Sequence, residues 1–368
     1  MLPGTPESYW IDSTPMTSYP QLADDTEVDV AVIGGGIAGV CTAWEVATTG
    51  RGVVLLEADR IATGVTGYTT AKLSSLHTLA YARITRAFGK DAARLYAQSQ
   101  QSAVERAAAL AAELRIDCDL ERVPAFTYAE SEAEVQPVRD EADAAREAGL
   151  DASFVTETGL PFAVAGAVRV EDQAQFHPRK YLRGLAEDLI QRGGRVFERT
   201  RAVGLVEGQP CRVTTKEGRT VVARDVVVTT HFPVFDRALL FARLSPRREL
   251  VVAGRIAPEH DPGGIYITPE ENTRSVRTAP YRDGQRLLIV TGEHFTPGTA
   301  DVSERFERLL AWARERFPEL EIAYRWATQD TTTTDRVPFV GPFYPSARHV
   351  HVATGFGGWG MSTGIMAG

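Results

Sequence analysis

Three glycines and an acid have the types and the spacing to bind a charged ligand: Gly34, Gly36 and Gly39, followed eighteen positions later by Glu57. In a Gly-x-Gly-x-x-Gly turn the first glycine makes a tight bend and the second lets a pyrophosphate approach the backbone. The third lets the following helix pack close to a sheet. Phosphates then sit at the helix N-terminus, where free N–H groups and the helix dipole favour an anion. Glu57 is positioned to accept hydrogen bonds from an adenosine ribose, and its charge would repel a 2′-phosphate. The ligand expected from these residues is therefore FAD or NAD rather than NADP.

The motif needs a strand before it, a helix through it and a second strand ending on the acid, and the chain supplies all three. Val28-Asp29-Val30-Ala31-Val32-Ile33 is a short, β-branched apolar run. Ile37, Val40, Ala43, Trp44, Val46 and Ala47 recur with helical spacing up to Gly50, and Val53-Val54-Leu55-Leu56 leads into Glu57. The next stretch, Ala62 to Lys72, is too rich in glycine and hydroxyls for a regular element. It follows the carboxyl end of a parallel strand, where ligands bind in such sheets, so it is expected to lie over the cofactor.

Composition narrows the class. The 368 residues are 43% hydrophobic and 24% charged, with a net charge of -8, which excludes a basic nucleic-acid-binding face and an anionic membrane surface as partners. There is no apolar run of transmembrane length, and the first residues lack the basic and apolar regions of a signal peptide, so a cytoplasmic location is expected. Cys41, Cys118 and Cys211 have no metal-ligand spacing; no metal site is expected, and the thiols are read as reduced and buried.

Along the chain, residues 1 to 26 read as an extended, proline-punctuated arm pinned to the surface by Tyr9 and Trp10. Helical patterns cover Leu79 to Leu114 with a break at Gly89, Glu132 to Ala148, and Pro178 to about Arg192, the last with His177 as a capping residue. Short strands are expected at Arg122–Ala129, Arg195–Phe197, Val203–Val206, Cys211–Thr215, Thr220–Ala223 and Val226–Thr230, with the unbroken run Val226–Val228 in the same sheet as Val53–Leu56. Between Phe232 and Ala327 the pattern changes to antiparallel strands and one helix from Val302 to Arg316, with Thr299, Asp301 or Ser303 as its cap. A final strand, His349 to Thr354, delivers a second glycine turn, Gly355-Phe356-Gly357-Gly358-Trp359-Gly360-Met361.

Taken together, the stretches Val30–Gly39 with Glu57, His177–Gly194 into Val226–Thr230, and Asp335–Gly341 with Ala353–Met361 resemble the D-amino-acid oxidase superfamily of FAD-dependent oxidoreductases. The loop Gly64–Lys72, the run Glu171–Pro178 and Ala327–Asp330 are similar to a subgroup that usually carries a C-terminal Rieske iron–sulfur domain. The Rieske ligands are absent, and the chain stops a few residues into a helix that the family continues, as a piece of a longer protein would. The resemblance implies an α/β architecture: a Rossmann-like FAD-binding domain from residues 1–75, 171–235 and 328–368, and an inserted α+β substrate domain on a mainly antiparallel sheet from 76–170 and 236–327. It implies FAD contacts from Gly34, Gly36, Ile37, Ala38, Gly39, Glu57, Ala58, Thr66, Thr70, Val203, Thr229 and Thr230, and from Gly357, Gly358, Trp359, Gly360 and Met361 near the flavin. An NAD-linked enzyme is the less favoured alternative, because only one complete strand–turn–helix unit is present.

The catalytic candidates are Asp330, His77 and Lys72. In the family's amino-acid oxidases an arginine that grips the substrate carboxylate lies five residues before the position of Asp335; here that residue is Asp330. A carboxylate there would attract an ammonium, which favours amines over free α-amino acids, whereas the bland reading is an Asp bonded to its own turn. If a carboxylate clamp exists elsewhere, Arg255, Arg274, Arg277 and Arg325 are the candidates, with Arg274 and Arg277 three apart and so on opposite faces of a strand. The expected activity is oxidation of a C–H next to an amine by hydride transfer to the flavin. The expected partners are a small-molecule substrate and a redox partner, and the alternative is an electron-transfer subunit serving a Rieske protein.

Overall fold

The computed structural model describes residues 2–235, 237–298 and 302–368. Among these, the strands form two sheets, of eight and nine strands. The first runs in the order Phe339–Pro342, Val350–Thr354, Thr220–Val228, Thr26–Ile33, Val53–Leu56, Arg195–Phe197, parallel except at the Phe339–Pro342 edge. Ala31 sits opposite both Val226 and Val54, so the three apolar runs lie side by side. Thr220–Val228 is one continuous strand rather than two, and its first half also pairs with the hairpin of Ala202–Val206 and Cys211–Thr215. Both faces are covered: one by the helices Ile37–Thr48, Lys90–Glu113, Pro178–Gln191 and Gly360–Ala367, the other by the hairpin and the segment around Phe235 and Phe343. This double burial is why the strands are apolar without alternation.

The second sheet is antiparallel except where Ile265–Ile267 runs parallel to Glu121–Ala129. One face packs on the helix Val302–Arg316 and the rings of Phe162 and Phe317. Here Ser303 lies inside the helix, and the other cap candidates, Thr299 and Asp301, lie outside the described residues.

The opposite face alternates strictly with the pleat. Glu249, Val251 and Ala253; Thr291, Ile289 and Leu287; Ser275, Arg277 and Ala279; and Asp330, Thr328, Trp326 and Tyr324 all point one way, in register across neighbouring strands. That face is apolar at one end and polar at the other, and the polar end looks onto the carboxyl ends of the first sheet.

Several expectations need correcting. Residues 8 to 13 are not a surface arm: Ser8 accepts a bond from Trp10 N and starts a short helix, Tyr9–Asp12, and Trp10 is completely buried. Its indole lies over the Arg277 guanidinium and packs on His177, filling a slot no polar side chain would occupy. The strand Glu321–Thr333 was not anticipated, because as a sheet edge it carries polar residues on both faces. The boundaries expected at 170 and 327 fall inside the strands Gly166–Gln175 and Glu321–Thr333. Lys72–Leu73 belongs to the second sheet, beside Gln175.

Since Trp10 is enclosed, Trp10→Ala is expected to destabilise the protein by about 3–5 kcal/mol, read from chemical denaturation. A loss below about 1 kcal/mol would mean that the arm is not part of the core.

Candidate active site

A cavity of about 1340 Å³ runs between the two sheets. Its floor is the glycine turn. Gly34 has a φ of +110°, and a Cβ there would stand 2.8 Å from the Thr229 carbonyl oxygen. Gly39 faces inward, where a Cβ would come within 1.8 Å of the Gly34 carbonyl, so it sets the helix against the turn and does not line the cavity. Gly36 differs: the only atom near a Cβ placed there is Thr66 Oγ1, at 3.3 Å. A Cβ there would need only a small shift of the Thr66 side chain, so the fold asks far less for glycine at 36 than at 34 or 39. Gly36 also caps the helix Ile37–Thr48 without a side-chain bond, and Ile37 N donates to Thr66 Oγ1 at 3.1 Å.

Glu57 closes the other side of the turn. Its carboxylate accepts from Gly35 N at 2.7 Å and from Asp59 N at 2.8 Å, while burial raises its pKa. Ala58 is beside it on the cavity wall. Thr229 N and Oγ1 both bond the Ile33 carbonyl, at 2.8 and 2.9 Å, and Thr230 and His231 continue the wall. Val203 is not in it. Its side chain is 54% exposed, at the point where the strand Ala202–Val206 shifts register between Ala202 and Gly204, and it is Arg201 and Ala202 that face the cavity. Gly357, Gly358, Trp359, Gly360 and Met361 line the far end, where the helix Gly360–Ala367 starts without a side-chain cap.

The loop expected to lie over the cofactor does cross the cavity wall, and it is held from behind. Trp326 Nε1 donates to the Tyr68 carbonyl at 2.8 Å, Trp10 Nε1 to the Thr69 carbonyl at 2.6 Å, and Arg277 Nη1 to the Ala71 carbonyl at 2.5 Å. Thr66, Thr70 and Lys72 are left lining the cavity. Lys72 Nζ donates to Thr70 Oγ1 at 2.5 Å and to Ser275 Oγ at 3.1 Å. Burial lowers its pKa to about 8, with Glu249 opposing and Arg277 assisting the shift.

His77 also lines the cavity, but its ring is fully engaged. Nδ1 lies 2.6 Å from the Tyr96 hydroxyl, Nε2 lies 2.7 Å from the Ser74 carbonyl and 3.0 Å from Ser362 Oγ, and the ring stacks on Trp359. The Ser74 carbonyl requires a proton on Nε2, so Nδ1 accepts from Tyr96, and burial lowers the pKa to about 3. A neutral imidazole with both nitrogens committed is a brace, not a general base.

Asp330 lines the cavity from the second sheet. One oxygen accepts from Thr331 N at 2.6 Å, as the bland reading expects, and the other reaches the Gly358 N–H of the second glycine turn. Burial pushes its pKa up to about 6, offset in part by those two bonds. The four arginine candidates are all used elsewhere. Arg274 pairs with Glu293 at 2.7 Å on the opposite face of the sheet, and Arg277 is behind the loop. Arg255 pairs with Glu321, and Arg325 donates to the Pro3 and Gly4 carbonyls. Sequence reasoning missed Arg247 and Glu249, an ion pair at 2.7 Å on the cavity ceiling, and His231, whose Nε2 is 2.9 Å from Thr331 Oγ1. Alternation along Glu249–Ala253 was the available signal for the first two.

This arrangement can take an extended nucleotide on its glycine floor and a small polar molecule under its ceiling. Residues 29–368 match the model of the family described as DAO, FAD dependent oxidoreductase. The chain is 35% identical over 364 residues to the putative Rieske 2Fe-2S iron-sulfur protein YhfW of Bacillus subtilis, covering 98% of this chain and 71% of that protein. It is 23% identical to gamma-glutamylputrescine oxidoreductase of Escherichia coli, over 99% of this chain and 87% of that protein. Among solved structures, glycine oxidase from Geobacillus kaustophilus superposes with a TM-score of 0.75 at 20% identity, covering 93% of this chain and 92% of that one. L-proline dehydrogenase from P. horikoshii superposes with a TM-score of 0.77 at 17% identity, covering 93% and 91%. Matched by the family model over nearly its whole length and 35% identical to a relative across 98% of its residues, this protein is a member of the DAO family of FAD-dependent oxidoreductases.

Proposed function

We propose that this enzyme oxidises a C–H bond next to the nitrogen of an amine or amino-acid-like substrate, with Asp330 as the residue that draws the nitrogen in. The observation that carries this reading is Asp330 itself, a carboxylate on the cavity ceiling bonded to the second glycine turn. An ammonium 4 Å from that carboxylate gains about 4 kcal/mol at an effective dielectric of 20, before desolvation is subtracted. Two similar proteins, a gamma-glutamylputrescine oxidoreductase and a glycine oxidase, bear names that agree with a nitrogen-bearing substrate.

In this reading bound FAD supplies the hydride acceptor. The chain's own residues do the rest. Gly36 leaves the floor open for the pyrophosphate, and Glu57, its position fixed by Gly35 and Asp59, takes the ribose. Thr66, Thr70 and Thr229 line the path between them. Asp330 orients the substrate nitrogen and accepts a proton from it, which leaves the nitrogen lone pair free to assist loss of the neighbouring hydride.

A second reading, a flavin subunit that passes electrons to an iron–sulfur partner, is favoured by one observation: the relative YhfW is named a Rieske protein and is longer than this chain. The two readings part on whether an amine alone reduces the bound flavin.

Two outcomes follow from the geometry. Gly36→Ala should weaken FAD binding at least tenfold while leaving the melting temperature of the apoprotein within a few degrees of wild type, whereas Gly39→Ala should destabilise the apoprotein itself, since a Cβ there overlaps backbone. Equal melting losses in both variants would mean that Gly36 serves the fold. For Asp330, whose pKa is raised to about 6, the charge is present above that pH and lost below it, so amine affinity should hold from pH 8 down to 7 and fall as pH drops through 6. Asp330→Asn should bind amines weakly at every pH and abolish that dependence; an unchanged profile in the variant would remove Asp330 from the site.

A further inference from the structure

The cavity opens to solvent where its lining residues are exposed. Val234, Thr334 and Arg336 both line it and are exposed, as does Arg86 in the last turn of the helix Ala80–Phe88. The segments that carry these residues are tied to one another. Arg83, one turn before Arg86, donates to the Asp335 and Arg336 carbonyls at 3.1 and 3.2 Å. Thr334 N donates to the Arg243 carbonyl at 3.2 Å, and the Arg243 guanidinium lies over the Phe339 ring, 4.3 Å from its centre. Phe339 pairs with Thr354, whose hydroxyl donates to the His231 carbonyl. Stretches around 80–88, 231–243 and 334–342, far apart in sequence, therefore make one border.

That border combines bare apolar side chains with unpaired positive charge. Val234, Leu239, Phe241 and Val340 are each at least 45% exposed. Residues 237–248 contain four arginines and no acid, in a chain whose net charge is -8. Arg86, Arg243 and Arg336 take part in no ion pair among the described residues, so their charge is presented to solvent. The acids of these segments are fewer and partly engaged: Asp335 accepts from Thr333 Oγ1 and Val337 N, and Asp140, on the cavity wall, accepts from Gln136. An exposed cluster of large apolar side chains rimmed by charge marks a place where another protein sits.

We propose that this border docks an acidic one-electron carrier protein, which collects the electrons of the reduced flavin at the cavity opening. The inference rests on the FAD-dependent oxidation proposed above and names the class of acceptor that completes it. Charge selects the partner. The chain as a whole is acidic and repels an acidic protein, so a basic face on it orients the encounter toward one place. The apolar side chains then supply short-range contact over a small area, as transient redox encounters do. Position fits the same role, because Val234, Arg86 and Arg336 belong to the border and to the cavity wall at once. Electrons and protons balance: oxidation of the amine yields two of each, two oxidised carriers leave in turn with one electron apiece, and the two protons pass to solvent.

The experiment uses two small haem proteins of opposite charge, acidic cytochrome b5 and basic cytochrome c. The FAD-loaded protein is reduced with dithionite, so that no amine is needed, and mixed anaerobically with either oxidised cytochrome while the haem absorbance is followed. Wild type should reduce cytochrome b5 faster than cytochrome c at low salt, and the cytochrome b5 rate should fall at least tenfold between about 50 and about 500 mM salt. Calorimetry with oxidised cytochrome b5, in which no electron moves, should show binding with the same salt dependence. The double variant Arg243→Glu/Arg336→Glu should weaken that binding at least tenfold and reverse the preference between the cytochromes. Phe241→Ser should weaken binding at low and high salt alike.

FAD content and melting temperature report whether each variant is folded, and its reduction by dithionite should match wild type. Cytochrome b5 binding that is absent, insensitive to salt, or unchanged in the double variant would overturn the docking surface. An amine that fails to reduce the flavin, in a protein that still binds and reduces cytochrome b5 as described, would instead overturn the reading of the substrate.

Discussion

Three hydrogen bonds from behind, given by Trp326, Trp10 and Arg277 to the carbonyls of Tyr68, Thr69 and Ala71, hold a loop by which the chain leaves the first sheet and joins the second. Each is worth only about 0.5–1.5 kcal/mol net, but the donors are themselves buried and packed on one another, so the loop has few alternative positions. Its carbonyls face the protein and its functional side chains, Thr66, Thr70 and Lys72, face the cavity. The N-terminal residues, which look expendable, are part of this clamp, since Trp10 reaches the loop and lies on Arg277 as well.

The rest of the cavity is built by two different sheet geometries. The parallel sheet, buried on both faces, can offer a ligand only the ends of its strands, and it does so with the glycine turn after Ile33 and the threonines after Val228. The antiparallel sheet offers a face. Because its side chains alternate, a single face can be apolar where it covers Trp10 and Tyr9 and polar where it covers the cavity, so Ala253 and Glu249, or Tyr324 and Asp330, lie on one side of the same strands. Charge is then arranged on that polar end: a neutralised pair, a carboxylate bound to backbone and a lone ammonium. No helix among the described residues is long and apolar enough to cross a membrane, and all three cysteines are buried.

What could be read in the sequence was what is local. Gly34, Gly36, Gly39 and Glu57 lie within one strand–turn–helix–strand unit, and that unit is legible from spacing alone. The strand runs Val30–Ile33, Val53–Leu56 and Val226–Val228 announce themselves because burial on both faces leaves them no polar residue. Val203 misled because the strand shifts register there and leaves it exposed, while the cavity takes Ala202. His77 was a candidate because it follows the loop, but Tyr96, Ser74 and Ser362, which fix its tautomer, come from three separate places in the chain. That Lys72 lacks a counter-ion was equally illegible: it depends on Glu249 being taken by Arg247 and on Arg274 pointing through the sheet to Glu293. Such facts belong to register and packing, which spacing does not encode.

The central claim, that this FAD-dependent oxidoreductase takes its electrons from an amine, is tested most directly by the colour of the bound flavin. Anaerobic mixing of the FAD-loaded protein with a panel of amines, with and without a carboxylate and in the absence of any iron–sulfur protein, should bleach the flavin absorbance with at least one of them. A flavin that stays oxidised with every amine, yet whose chemically reduced form is reoxidised by an oxidised iron–sulfur partner, would contradict the account.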